Sequence, residues 1–216
     1  MSLKSFIKKN HNTVGSIKIR NLIDQELKKN NLKKLKILEF GVNKGCSTSL
    51  FLRFCQQTKS KLVSVDTIDC SKLFNDKNWK FIKCRDDEFT KINKIVKWPV
   101  DIIFLDTEHT AKHVEKILKL YFNKLKLGGL FIIDDISWLP YVKNAYRDSE
   151  WIENNNKETF LKLLEIYNIN QKNFDISFLF YQSGLAVLKK KKNKLNNPKK
   201  IYSRKFSIKN ILRKFK

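Results

Sequence analysis

The chain has 216 residues, 42% of them hydrophobic and 16 of them Phe, which is enough to bury a sizeable core and excludes a disordered protein. Lys and Arg number 45 against 21 Asp and Glu, a net charge of +24. That excess sits at the ends: residues 189–216 hold 13 basic residues and no acid, residues 1–36 hold 10 against two acids, and the stretch between carries only +3.

Residues 17–30, IKIRNLIDQELKKN, place Ile19, Leu22, Ile23 and Leu27 at helical spacing, so an amphipathic helix leads in. KILEFG (36–41) is a β-prone run that stops at glycine, and CSTSLFLRFCQQ (46–57) has a helical apolar face. KLVSVD (61–66) and WKFIKC (79–84) are further strands; the first ends on Asp66 and the second runs into Asp86 and Asp87. A helix over 88–96 precedes a fourth strand, VDIIFLD (100–106), and a helix over 111–125 precedes a fifth, GGLFIIDD (128–135). The unbroken apolar character of 102–105 and 130–133 marks strands buried on both faces. Residues 138–170 read as helix and loop. FDISFLFYQSGLAVLKK (174–190) reads as two β runs about a Gln-Ser-Gly turn, an antiparallel hairpin at one sheet edge.

This alternation predicts an α/β protein: a Rossmann-like, doubly wound, mainly parallel seven-stranded sheet with an antiparallel C-terminal hairpin. Its expected organisation is a basic helical lead over 1–35, one domain over 36–190 and a basic tail over 191–216.

In an open parallel sheet, ligands sit outside the carboxyl ends of the strands. The first strand runs into EFGVNKGCS, an E-x-G-x-x-x-G spacing that is neither the dinucleotide fingerprint nor a phosphate loop. Gly41 and Gly45 let the backbone approach a ligand, and Glu39 can accept bonds from a cation or a hydroxyl; a strand-to-helix turn also uses glycine for purely structural reasons. Asp66, about twenty residues on, stands where a carboxylate binds the two hydroxyls of a ribose. Asp86 and Asp87 stand where an adenine amino group would lie. Together these acids predict an adenosine-containing cofactor.

ILEFGVNKGCST, LVSVD and DIIFLDTEHTAKHVEKILKLYFNKLKLGGLFIIDDI together resemble the class I S-adenosylmethionine-dependent methyltransferases. The likeness is to the small-molecule and sugar O-methyltransferase branch, whose last block is written D-G-D-H with a later D-D. It covers about 36–190 and departs from the pattern at Thr107, where the family often has glycine. The resemblance implies S-adenosyl-L-methionine as cofactor, with Glu39, Gly41, Gly45, Ser47, Asp66, Asp86 and Asp106 around it. It also implies Mg²⁺ held by Asp106, Asp134 and Asp135, whose hard oxygens suit that ion. Glu108 or His109 would then be the base that takes the acceptor's hydroxyl proton, and the acceptor a small hydroxylated molecule, such as a sugar or glycan. The same acids could instead position substrate without a metal, or simply cap the helices that follow them. His109 and His113, at i and i+4, could bind a metal from one helix face.

From 189 the tail reads KKKKNKLNNPKK, then IYSRKFSIKNILRKFK, with Ile201, Ile208, Ile211, Leu212 and Phe215 largely on one helical side. A basic amphipathic segment suits an anionic membrane surface or a nucleic acid, and a disordered solubilising tail has the same composition. The alternative functions are therefore an RNA methyltransferase, or a non-catalytic cofactor-binding module docked through the tail. Against the first, LDTEH is not the Asn/Asp-Pro-Pro-aromatic loop with which amino-methylating enzymes hold a flipped base. Trp138, Tyr141 and Trp151 offer either an acceptor pocket or core. Cys46, Cys55, Cys70 and Cys84 lack metal-ligand spacing and are expected as free thiols. With neither a signal peptide nor a window approaching the ~18 apolar residues of a membrane span, the chain is expected to be cytoplasmic, with the tail as a means of reaching the inner face of a membrane.

Overall fold

The computed structural model describes residues 2–28, 33–138 and 149–200, together with Arg213. Tyr141 and the amphipathic part of the tail lie outside the described residues. Two helices lead, α1 (Leu3–Lys9) and α2 (Val14–Leu22), and a π-helical turn over Ile23–Lys28 continues the second. Each starts on a hydroxyl cap: Ser2 accepts from the Ser5 amide and Thr13 from the Ser16 amide. Then come β1 (Lys36–Phe40), α3 (Cys46–Thr58), β2 (Lys61–Asp66), β3 (Trp79–Lys83) and α4 (Phe89–Asn93). β4 (Val100–Leu105), α5 (Ala111–Tyr121) and β5 (Leu125–Asp134) follow, and α6 (Glu150–Asn170), β6 (Phe174–Leu179) and β7 (Leu185–Lys190) complete the order.

The seven strands form one sheet in the order β3-β2-β1-β4-β5-β7-β6. It is parallel from β3 to β5, and β7 runs antiparallel to both β5 and β6, the predicted Rossmann-like architecture with its hairpin. Two helices are shorter than the sequence suggests. α4 stops at Asn93 and closes in a turn, in which the Ile95 and Val96 amides both donate to the Ile92 carbonyl. The predicted 111–125 helix ends at Tyr121 in a 3₁₀ turn, Phe122–Lys124, that leads directly into β5.

Side chains alternate between two apolar layers, as strand geometry dictates. On one face Leu38, Phe40, Ile103, Leu105, Phe131 and Ile133 pack with Val114 and Ile117 of α5 and Leu163 and Ile166 of α6. On the other, Ile37, Ile102, Phe104 and Ile132 pack with Phe51 and Phe54 of α3 and with Ile19 and Leu22 of α2. The N-terminal helices thus belong to one of the two cores, each fully buried Ile or Leu contributing roughly 1.5–3 kcal/mol. The chain also stays docked past β7. The amides of Lys191 and Lys192 donate to the Asn173 carbonyl, the Asn196 amide donates to Asn170 Oδ1, and Leu195 packs on the core.

Strand order reverses between β1 and β4, the place where a crevice opens in such sheets. The chain crosses itself tightly there. Gly41 has φ +92°, and a β-carbon on it would lie 1.8 Å from the Asp106 carbonyl oxygen, so only glycine lets these two strand ends meet.

Candidate active site

A cleft of about 250 Å³ opens at the carboxyl ends of β1 to β4, lined by Gly41, Asp66, Asp86, Asp106, Thr107 and His113 among others. Asp66 ends β2 and folds back toward the glycine loop. Its Oδ2 accepts from the amides of Val42 (2.8 Å) and Asn43 (3.0 Å), and its Oδ1 from that of Ile68 (2.9 Å). Burial raises its pKa, but those amide bonds outweigh burial and hold the carboxyl below its ordinary range. Asp66 is therefore an ionised acceptor at the cleft wall.

Asp86 sits deeper. Its Oδ2 accepts from Thr107 Oγ1 at 2.6 Å and lies 2.7 Å from His113 Nε2, while Tyr121 donates to its carbonyl at 2.7 Å. Thr107, the departure from the family pattern, thus bridges the ends of β3 and β4. Asp87 is not part of the cleft lining. Hydrogen bonds from Arg85 (3.1 Å) and Lys116 (2.8 Å) hold its pKa at about 2.

Glu39 lies beneath the loop. It falls in the same alternation as Ile37, toward α3, and is completely buried. Ser47 donates to its Oε1 at 2.7 Å, and Thr48 and Ser64 donate to Oε2 at 2.8 and 2.6 Å. Trp79 Nε1 in turn donates to Ser64 Oγ. Burial pushes Glu39 up to about 7 against the pull of the three hydroxyls. Gly45 opens α3 with φ +80°. Glu39, Gly45 and Ser47, predicted around the cofactor, are absent from the cleft lining and shape the loop from below; Gly41, Asp66, Asp86 and Asp106 line the cleft.

A second cluster adjoins it. Asp134 ends β5 and Asp135 follows with φ +57°, a left-handed conformation costing a non-glycine residue roughly 1–2 kcal/mol. Consecutive strand residues point to opposite faces, but this turn lets both carboxylates meet one cation. That cation is Lys18 of α2. Its Nζ pairs with Asp134 Oδ1, lies 3.2 Å from Asp135 Oδ1 and donates to Ser183 Oγ at 2.6 Å, with all four residues buried. Burial alone would lower the Lys18 pKa, but Asp134, Asp135 and Asp106 outweigh it and hold the ammonium above the usual lysine value. His109 Nε2 stands 3.5 Å from Asp135 Oδ2 and 3.5 Å from Asp106 Oδ1, so Asp106 links this cluster to the cleft. Glu108 is half-exposed at the cleft rim, accepting from Thr110 Oγ1 at 3.0 Å.

Of the acids expected to hold Mg²⁺, Asp134 and Asp135 converge on an ammonium, while Asp106 faces His109 and acts on that ammonium only through its charge. Mg²⁺ demands octahedral oxygen donors at about 2.0–2.1 Å. It does not fit while Lys18 engages Asp134 Oδ1 and Asp135 Oδ1. Among the described residues, no group of three or more His, Cys, Asp and Glu is set to hold a metal. The two histidines diverge as well, His113 to Asp86 and His109 to Asp106 and Asp135.

Lys18 and Ser183 were not singled out from the sequence, and Thr107 was noted only as a departure from the family pattern. Lys18 did carry a signal: it lies four residues before Leu22 and beside Ile19, on the apolar face of its helix, where a charge needs a buried partner. Ser183 had none beyond its place in the hairpin turn. Trp138 packs on Phe160 of α6 with ring centroids 4.3 Å apart and planes tilted by 56°, whereas Trp151 is exposed. All four cysteines are free, and among the described residues no helix is long and apolar enough to cross a membrane.

Residues 38–136 match the family model of a methyltransferase domain. No curated protein matches the chain. Among solved structures, one neighbour is the MycE methyltransferase from the mycinamycin biosynthetic pathway, in complex with Mg, SAH and mycinamycin VI. It is 18% identical with a TM-score of 0.59, and the match covers 91% of this chain and 54% of that one. This chain therefore spans about half the length of MycE. A Staphylococcus aureus protein described as a candidate caffeoyl-CoA O-methyltransferase is 20% identical, with a TM-score of 0.60 over 87% of this chain and 90% of its own. SAH-bound PaMTH1, a methyltransferase of Podospora anserina, is 17% identical, with a TM-score of 0.59 over 82% and 78%. Likeness at these identities is likeness of fold.

Proposed function

We propose that the methyltransferase domain of residues 38–136 is the working part of an S-adenosylmethionine-dependent O-methyltransferase acting on a small hydroxylated acceptor, with a sugar or glycan the leading class. One observation carries the reading: an acid held ionised at the wall of a strand-end cleft, Asp66, shares that cleft with Asp106, which pairs with a histidine. The cleft's donor set fits the cofactor. Asp66 accepts from the ribose hydroxyls, Asp86 and Thr107 face the base, and the glycine loop tied to Asp66 presents backbone without a side chain at Gly41. When bound, S-adenosylmethionine supplies an electrophilic methyl on a sulfonium, and transfer forms an O–C bond as the C–S bond breaks.

His109 Nε2 takes the acceptor's proton. Asp106 and Asp135, each 3.5 Å from that nitrogen, fix the position of the ring between them. Glu108, exposed at the rim, is better placed to meet the acceptor than to remove its proton. The mycinamycin VI in the MycE complex favours an acceptor of small-molecule size. Residues 191–196 are tied to the folded domain by backbone bonds to Asn170 and Asn173, and the side chains of Lys191, Lys192 and Lys194 stay exposed there for contact with an anionic surface.

The test is calorimetric titration of S-adenosylhomocysteine, first with Mg²⁺ and then with EDTA, followed by an acceptor screen. Equal binding in both is expected, and a folded chain that binds in neither rejects the reading. His109→Gln should slow turnover by about 10²–10⁴-fold while cofactor affinity stays within a few-fold.

A further inference from the structure

We infer that Lys18 is the built-in cation of this site: its ammonium stands where the family resemblance puts Mg²⁺, so the acid cluster binds no divalent metal and instead holds Asp135 against His109. The role of His109 rests on the methyltransferase reading; the filling of the cluster by Lys18 does not.

An ammonium has three N–H donors and no acceptor. Lys18 spends all three, on Asp134, Asp135 and Ser183, so none is left for a substrate oxygen. It is a positioning residue. Two adjacent buried carboxylates repel and cannot both stay ionised without a counter-charge beside them. Lys18 provides that charge from inside the fold, at 2% exposure.

The surroundings keep it there. Ile19 and Leu22 anchor α2 in the core, so an incoming ion could displace the ammonium only into apolar packing. The Asp135 amide donates to the Gly184 carbonyl (3.1 Å) and to Asp134 Oδ1 (2.7 Å), and the Ser137 amide donates to the Ser183 carbonyl (2.8 Å). These bonds fasten the left-handed turn to the hairpin that supplies Ser183. Asp135 Oδ1 then faces Lys18 while Oδ2 faces His109, so the lysine sets the carboxylate that sets the imidazole.

Mn²⁺ titration of the full chain, followed by electron paramagnetic resonance, tests this without any turnover. The wild type should show no saturable binding up to about 1 mM. Lys18→Ala should gain one site per chain, lost again when Asp134→Asn is added. One-to-one binding by the wild type that Asp134→Asn abolishes overturns the inference, as does a folded Lys18→Ala chain with no gain. Should Lys18→Ala not fold, Lys18→Gln takes its place, and the wild-type titration alone still decides. S-adenosylhomocysteine calorimetry on the same samples separates the two readings. A wild type that binds neither ligand defeats the methyltransferase reading and leaves Lys18 in its place.

Discussion

Asp66 and the Asp134–Asp135 pair end strands on the same rim of one sheet, yet they are held in opposite ways. Asp66 is bound by three backbone amides of adjoining loops and stays open to the cleft. The pair is bound by one ammonium that arrives from the N-terminal helices and is closed off from water. Amide donors are local and neutral, so they keep an acid charged while its net charge remains available to a ligand. A buried lysine cancels the charge it meets. An acid at a strand end is thus a binding group or a structural one according to what neutralises it.

The two acid sites should differ most in paired deletions. Asp134→Ala leaves an N–H of the buried Lys18 ammonium and the Asp135 amide without their shared acceptor and should cost about 3 kcal/mol or more, read from the urea midpoint. Asp66→Ala loses amide bonds at a partly exposed site and should cost only about 1–2 kcal/mol. Its larger effect should be on S-adenosylhomocysteine affinity, weakened roughly ten- to hundred-fold by loss of charge-assisted bonds. Similar stability losses, or a loss of affinity confined to Asp134→Ala, would show that the two corners do not differ as their partners suggest.

Much of this architecture was legible in the sequence because its causes are local. The apolar runs Ile102–Leu105 and Leu130–Ile133 name the central strands directly, and the Gln-Ser-Gly turn names the hairpin. Asp66, Asp86 and Asp106 were placed at the cleft because strand ends are readable and the crevice of such a sheet is fixed by topology. What escaped is set by distance along the chain. Lys18 and Asp134 are 116 residues apart, and no spacing rule joins them. Glu39 was named from its strand-end motif, and what the motif does not show is the contact that alternation gives its side chain, toward α3 and the hydroxyls of Ser47, Thr48 and Ser64.

Glu39 supplies a third kind of acid, met only by hydroxyls, and its pH response sharpens the contrast. Its pKa rises from an ordinary 4.5 to about 7 in the fold, chiefly through burial. The folded chain therefore holds this proton more tightly than the unfolded chain. The resulting stability is fully present below pH 4.5 and is lost as pH rises through about 7. The loss has an upper limit of about 3 kcal/mol at 1.36 kcal/mol per pKa unit. Glu39→Gln keeps the shape and most of the hydrogen bonding, so its thermal midpoint should stay nearly flat between pH 5 and 7.5 relative to the wild type. An equal slope in both proteins would assign the pH dependence to other groups.

The smallest effect is expected at Asp87, next in sequence to an acid that lines the cleft. Asp86 is buried and bonded to Thr107 and His113, whereas Asp87 is tied to Arg85 and Lys116, whose side chains are exposed. Ion pairs with exposed partners contribute little because water and salt screen them, so Asp87→Ala should change stability by less than about 1 kcal/mol, and by less still in high salt. Cofactor affinity should stay within about two-fold of wild type by calorimetry, since the lost charge is compensated by surface cations and absent from the cleft lining. A loss comparable to that of Asp66→Ala would mean that the cofactor draws on the acidic loop as a whole, and that the partner of each acid does not decide its role.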